Sequence, residues 1–247
     1  MPYKEYQPHT KLSRCIDCFW SYTASDKSSG NPSIIIPDNM ADILIDRSQS
    51  GKITSSFVGT MTRPIQSVKS DLLGIRFKPG YAFALFGIPM SEFKDIIVDL
   101  KDFWKNADWL EDKIGNLKNS GQQISFLQEM LIKYKNILFS VEGKFLTALK
   151  KINENIEYDS IENLSLELNI SRQHLRRLFQ KYTGINPVQY MRICRVRKVI
   201  GYIKKHSAPV NFCHLAQDFG YYDQSHMISD FKEFTLFPPS KYFQTNQ

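Results

Sequence analysis

The sequence predicts an α+β protein, with a β-rich N-terminal domain that also carries helices (1–140) and an all-helical domain (141–247) of two helix-turn-helix units joined by a long helix. Three observations lead there. The first hundred residues alternate β-branched runs with turn formers. From Val141 onward each segment has the three-and-four spacing of amphipathic helix. The helical part also repeats itself: FQKYTGINPVQY (179–190) returns 52 residues later as FKEFTLFPPSKY (231–242). Phe179 matches Phe231, Thr183 matches Thr235, Pro187 matches Pro239 and Tyr190 matches Tyr242, with His174-Leu175 and His226-Met227 at the same offset. Solenoids need at least three units to bury a continuous core, so two copies indicate a doubled small unit instead.

In chain order, LSRCIDCFWSY reads as an amphipathic segment with Leu12, Cys15, Ile16, Phe19 and Trp20 facing inward. Cys15 and Cys18 have the spacing of half a zinc site or a redox pair. Only His9 lies nearby as a further ligand, so buried structural thiols are the better reading. PSIIIPDNMADILID (32–46), ITSSFVGTMTRPIQSV (53–68) and LLGIRFKPG (72–80) read as strands closed by turns. MSEFKDII and ISFLQEMLIKYKNIL (124–138) read as amphipathic helices. Phe77, Tyr81, Phe83, Phe86 and Trp104 suit either a small-molecule pocket or a core, and core is favoured.

The helical half begins with FLTALKKINENI (145–156) and the short helix IENLSLEL (161–168), ended by Asn169, a residue tolerant of left-handed backbone. Ser171 caps RQHLRRLFQKY (172–182). Leu175, Leu178 and Phe179 form its buried stripe, leaving Arg172, Gln173, Arg176 and Arg177 outward. Arg pairs bidentately with guanine and Gln with adenine in a major groove, so this face suits a recognition helix. Asn186-Pro187 opens a helix to about Lys205, roughly 28 Å long at 1.5 Å per residue. NFCHLAQDF (211–219), Gly220 and DQSHMISDFKEF (223–234) then repeat the unit. Such a spacer suits two readers about 34 Å apart, one turn of DNA.

Charge agrees. Net charge is +7, and Leu168–Gln217 holds no Asp or Glu in 50 residues but ten cations: Arg172, Arg176, Arg177, Lys181, Arg192, Arg195, Arg197, Lys198, Lys204 and Lys205. An acid-free basic window of this length is the footprint of a polyanion partner. With 247 residues, 42% of them hydrophobic, packed cores are expected and disorder is not. No apolar run approaches membrane-spanning length, MPYKEYQPHT has no signal-peptide pattern, and four cysteines make no disulfide framework, so a cytoplasmic protein is expected. His174 and His226 occupy equivalent positions, which argues for packing or capping; His206 falls in a linker and His214 in a short helix. No metal-ligand pair or nucleophile motif accompanies them, so a binder without cofactor is expected rather than an enzyme.

Residues 141–242 resemble the AraC/XylS class of bacterial transcription regulators. GYYDQSHMISDFKEFTLFPPSKY (220–242) is close to that family's signature of Gly, two residues, Asp-Gln-Ser-His-Phe, then Phe-Lys and Pro-x-x-Tyr. The resemblance implies base contacts at Gln173, Arg176 and Arg177 in the first unit and around Gln224, Ser225 and Ser229 in the second. Where the family usually has Arg or Lys, Ser229 stands; Asp230 puts an acid where phosphates would approach; Leu236 replaces the turn Gly and Met227 the Phe. The first unit is therefore expected to dominate. IIIPDNMADILID (34–46) and RFKPGYAFALFGIPMSEFKDIIVDL (76–100) resemble an uncharacterised domain often found before AraC-type DNA-binding domains, which implies a sensor or dimerisation role. Double-stranded operator DNA is the implied partner, with RNA polymerase, a small-molecule effector and a second copy of the chain left open. The alternative is a non-catalytic interaction protein that keeps the fold with weak or non-specific DNA binding.

Overall fold

Alternation along the strands sets the N-terminal architecture in the computed structural model, which describes residues 3–24, 34–49, 52–66, 70–134, 140–154, 160–205 and 211–245. Successive strand side chains point to opposite faces. In β4 (Ala41–Gln49), Ala41, Ile43 and Ile45 are buried while Asp42, Leu44 and Asp46 take the other face. In β7 (Leu72–Phe77), Leu73, Ile75 and Phe77 join the core, leaving Leu72, Gly74 and Arg76 opposite. With β1 (Tyr3–Tyr6), β2 (Ile16–Tyr22), β5 (Lys52–Val58) and β8 (Ile97–Asp99) they form an antiparallel sheet ordered β1-β2-β7-β4-β5-β8. Trp20 stands across from Gly74, and a Cβ there would lie 2.0 Å from the indole, so the ring needs glycine beneath it. β3 (Ile34–Ile35) and β6 (Ile65–Gln66) form a separate ribbon.

Of the expected inward set, Leu12, Cys15, Ile16 and Phe19 enter the core; Trp20 is buried too, but strand alternation in β2 puts it on the outer face of the sheet, over Gly74. α1 (Tyr81–Phe86), α2 (Ala107–Gly115) and α3 (Ser120–Lys133) follow the strands. The buried Glu111 of α2 accepts hydrogen bonds from the N–H and hydroxyl of Ser55, both at 2.8 Å. One expectation fails. MSEFKDII is not an amphipathic helix: a single tight turn (Met90–Phe93) gives way to β8. The Asp95 carboxylate accepts from the N–H and hydroxyl of Thr62 at 2.6 and 2.7 Å, holding Asp95 at φ 58. Left-handed backbone at a single residue interrupts a helix, and Asp is among the few non-glycine residues that adopt it. Phe77 and Tyr81 are core, with Phe83, Phe86 and Trp104 packed against it, as expected.

The helical half comprises α4 (Gly143–Glu154), α5 (Ile161–Glu167), α6 (Arg172–Thr183), α7 (Pro187–Lys205), α8 (Phe212–Asp218), α9 (Gln224–Thr235) and α10 (Pro239–Thr245). His206 and the expected end of the 145–156 helix lie outside the described residues. Each recognition helix is capped from the sequence: Ser171 accepts from the His174 N–H at 3.1 Å, and Asp223 from the His226 N–H at 2.7 Å. Those bonds satisfy amides left open at a helix start. The histidines thus supply the backbone N–H of each cap, and the His226 ring also packs edge-on against Tyr221.

The repeated residues turn out to be structural. Thr183 and Thr235 donate back to Phe179 and Phe231 carbonyls, each at 2.7 Å. Phe179 meets Tyr190 edge-on at 5.3 Å, and Phe231 meets Tyr242 likewise at 5.5 Å. Each pair ties a recognition helix to the helix that follows it. The first unit also packs on the N-terminal half: Phe83 meets Tyr182 edge-on at 5.0 Å.

Both units end their recognition helix in left-handed backbone, at Gly184 (φ 79) and Leu236 (φ 68). A Cβ at Gly184 would lie 2.5 Å from the Met90 carbonyl oxygen. Leu236 is 59% exposed, so its side chain contributes little packing against the strain. Thermal unfolding should show Leu236→Gly stabilised by roughly 1 kcal/mol, the strain of a non-glycine residue in that region. Gly184→Ala should be destabilised by more than about 1 kcal/mol, since strain and collision add.

Candidate nucleic-acid interface

Burial along α6 fixes which residues can meet a duplex. Leu175, Leu178, Phe179 and Tyr182 are buried, while Arg172, Gln173, Arg176 and Arg177 are exposed. The N-terminal halves of α6 and α7, with the start of α5, line a groove of about 850 Å³ that includes Arg172, Gln173, Arg176, Gln189, Arg192 and Arg195. Arg177 does not line it and stands on the other flank of the exposed face. Glu162 sits on its rim, 3.8 Å from Arg172.

The ten cations of the acid-free window divide by role. Arg192 binds Asp230 and Glu233, and Arg195 donates to the Gly220 carbonyl at 2.8 Å while lying over the Tyr221 ring. Lys198 donates to the Ile152 and Asn153 carbonyls, and burial lowers its pKa. Lys181 lies over the Phe83 and Tyr182 rings. The other six, Arg172, Arg176, Arg177, Arg197, Lys204 and Lys205, are exposed.

In the second unit Ser225 and Ser229 are exposed and Gln224 is half-buried at the start of α9. Asp230 is not where the sequence reading put it. It is 2% exposed and turned into the fold, 2.7 Å from the Arg192 guanidinium, so it does not face phosphates. The signal for this was in the sequence: Asp230 directly precedes the core Phe231 and follows Met227 by three residues, on the buried face of the helix.

Sequence reasoning also missed a cluster in the N-terminal half. Asp42 and Arg76 are register partners, 3.3 Å apart, and Asp38 lies 3.5 Å from the same guanidinium. Trp20 donates to Asp42 at 3.1 Å. Burial, opposed by Arg76 and reinforced by Asp38, pushes the Asp42 carboxyl up to about 6. These groups stand at one end of a cavity of about 420 Å³ between the outer face of the sheet and the β3–β6 ribbon. Acids alternating with Ile43 and Ile45 along β4 were the available clue. Next to Asp38, the buried Asn39 (φ 63) donates to the Tyr190 carbonyl at 3.0 Å and to Cys194 Sγ at 3.2 Å, both on α7. Asp38 itself is 3.8 Å from Arg197 of α7. Cys15 and Cys18 are buried, and burial pushes their thiols up to about 11 and about 12, away from the reactive thiolate.

Arg192 is 26% exposed and its partner Asp230 almost fully enclosed. Truncating the arginine strands a desolvated carboxylate, so Arg192→Ala should lose roughly 2 kcal/mol in urea unfolding. Arg192→Lys should recover only part, because the bidentate fork is lost.

Two family models match the chain: a domain of unknown function, DUF6597, over residues 4–99, and a helix-turn-helix domain over residues 164–245. The chain is 32% identical over 96 residues to the multiple antibiotic resistance protein MarA of Escherichia coli, covering 38% of this chain and 74% of that protein. Among solved structures, the C-terminal domain of AraT, a response regulator from Geobacillus stearothermophilus, aligns at TM-score 0.40 and 20% identity over 43% of this chain and 88% of that one. ToxT from Vibrio cholerae aligns at TM-score 0.44 and 12% identity over 100% of both chains. No helix among the described residues is long and apolar enough to cross a membrane. The capped pair of recognition helices, the helix-turn-helix match and the likeness to MarA agree: the chain belongs to the AraC/XylS family of DNA-binding transcription regulators.

Proposed function

We propose that α6 is the principal base reader, with Gln173 and Arg176 directed at base edges and Arg172 and Arg177 flanking them. α9 then enters a second major-groove segment through Gln224, Ser225 and Ser229. The observation that carries this is the split of α6 into a buried stripe and an exposed Arg/Gln face at its capped N-terminal end. Arg and Gln supply bidentate donors that Ser cannot, so discrimination concentrates in the first unit. The exposed cations of the window supply phosphate contacts. In this reading the protein is a binder rather than a catalyst and works in the cytoplasm, at promoters served by RNA polymerase.

Residues 1–140 form the controlling part and 141–247 the DNA-binding part. The contacts of Asp38 and Asn39 with α7, and of Phe83 and Met90 with α6, support control through the junction. A regulator controlled this way responds to whatever occupies the N-terminal half or to its self-association.

With about five phosphates neutralised, log K should fall against log salt with a slope near −4 to −5. A flat dependence on every duplex would leave only an interaction protein with this fold. In competition between operator and scrambled duplexes, Arg176→Ala should remove about 1–3 kcal/mol of discrimination, Arg177→Ala should weaken both duplexes alike, and Gln224→Ala and Ser229→Ala should cost less discrimination than Arg176→Ala. Larger losses from the second-unit changes would reverse the ranking. The fragment 141–247 should fold and bind DNA; an unfolded fragment would mean that the N-terminal half is part of one indivisible core.

A further inference from the structure

The lining of the cavity over the outer sheet face is polar at one end, at Asp38, Asp42 and Arg76, and mostly apolar along the rest. Arg76, Gly74 and Leu72 succeed one another on that face of β7, and Asp42 and Leu44 on β4 beside them. Four residues of strand separate Arg76 from Leu72, about 13 Å. The cavity over this face of the sheet is therefore an amphiphilic slot, with Trp20 as a wall over Gly74 and an apolar rim that includes the exposed Ile35 and Ile97.

Its polar end holds two carboxylates against one internal guanidinium, and the geometry is loose. Arg76 Nε lies 3.3 Å from Asp42 and 3.5 Å from Asp38 yet makes no hydrogen bond, although it is buried. A second cation paired with Asp38 is Arg197, 3.8 Å away on α7 and 43% exposed. The polar end thus holds two acids and one base inside the cavity, and Asp38 is further offset from outside it, by Arg197 of the linker helix. A ligand that brought a carboxylate would face two acids; one that brought an ammonium would complete the set.

We propose that this cavity binds a small amphiphilic cation, an amine whose ammonium lies on Asp38 and Asp42 and whose apolar body lies along Trp20, Leu44 and Leu72. This rests on the reading of the N-terminal half as the controlling part. Because Asp38 is shared with Arg197, an ammonium that engages it loosens the tie to α7, next to the Asn39 bonds on the same helix.

The test uses the full-length protein and three probes of equal chain length: hexylamine, hexanol and hexanoate. Calorimetric titration, with tryptophan fluorescence following Trp20, should rank hexylamine about tenfold or more above hexanol, and hexanoate last, the difference expected for one charge-assisted contact. Asp42→Asn should weaken hexylamine about tenfold while leaving hexanol within about twofold. Leu44→Trp, which fills the slot, should abolish both and keeps the test decisive if the Asp42 variant does not fold. Hexanoate binding as tightly as hexylamine, an Asp42→Asn protein that keeps its amine affinity, or no amine binding at all would each overturn the site. DNA affinity is measured in the same samples. Amine binding with unchanged DNA affinity upholds the site and removes the control reading, whereas DNA binding without amine binding removes the site and leaves the regulator intact.

Discussion

The edge-on contact between the Phe of each recognition helix and the Tyr of the following helix decides where the exposed side chains point. Phe179 on Tyr190 and Phe231 on Tyr242 fix each helix in rotation, and the threonine back-bonds to the same phenylalanines secure its last turn. Aromatic pairs of this kind add energy beyond their buried area and have a preferred geometry. A helix held on one face by such a pair has no freedom to turn its arginines away from a groove. The repeated words of the sequence therefore specify orientation, and the residues between them are free to specify content.

That division explains why the two units differ outside while agreeing inside. The first turns Arg and Gln outward. The second spends a charge internally, where Asp230 holds Arg192 of the linker helix. Several cations of the basic window serve the fold in the same way, binding carbonyls or ring faces. A count of basic residues thus overstates what is available to phosphates, and the exposed subset is the physically meaningful number.

The helical half was legible in the sequence because its determinants are local: the cap at Ser171, left-handed stops at Asn169 and Gly220, and apolar residues three and four apart. Buried stripe and exposed face follow from that spacing alone. The N-terminal half resisted for the opposite reason. Asp95 leaves helix because of Thr62, more than thirty residues earlier in the chain, and no local pattern announces such a partner. Asp42, Arg76 and Trp20 meet only through strand pairing, and Asp38 and Asn39 meet α7 only through the tertiary fold. Asp230 was misplaced because the resemblance supplied its surroundings; its helical phase alone would have put it inside.

The placement of Asn39 near the start of α7 has a mechanical consequence. α7 has 19 residues, and Tyr190 and Cys194 lie in its first half. From Tyr190 to Lys205 the axis runs about 22 Å at 1.5 Å per residue. The helix is then a lever arm gripped close to its pivot: a tilt of about 5° there sweeps the far end by about 2 Å, enough to take a hydrogen bond out of reach. The N-terminal half thus holds the end of the arm at which the smallest movement has the largest effect on the second unit.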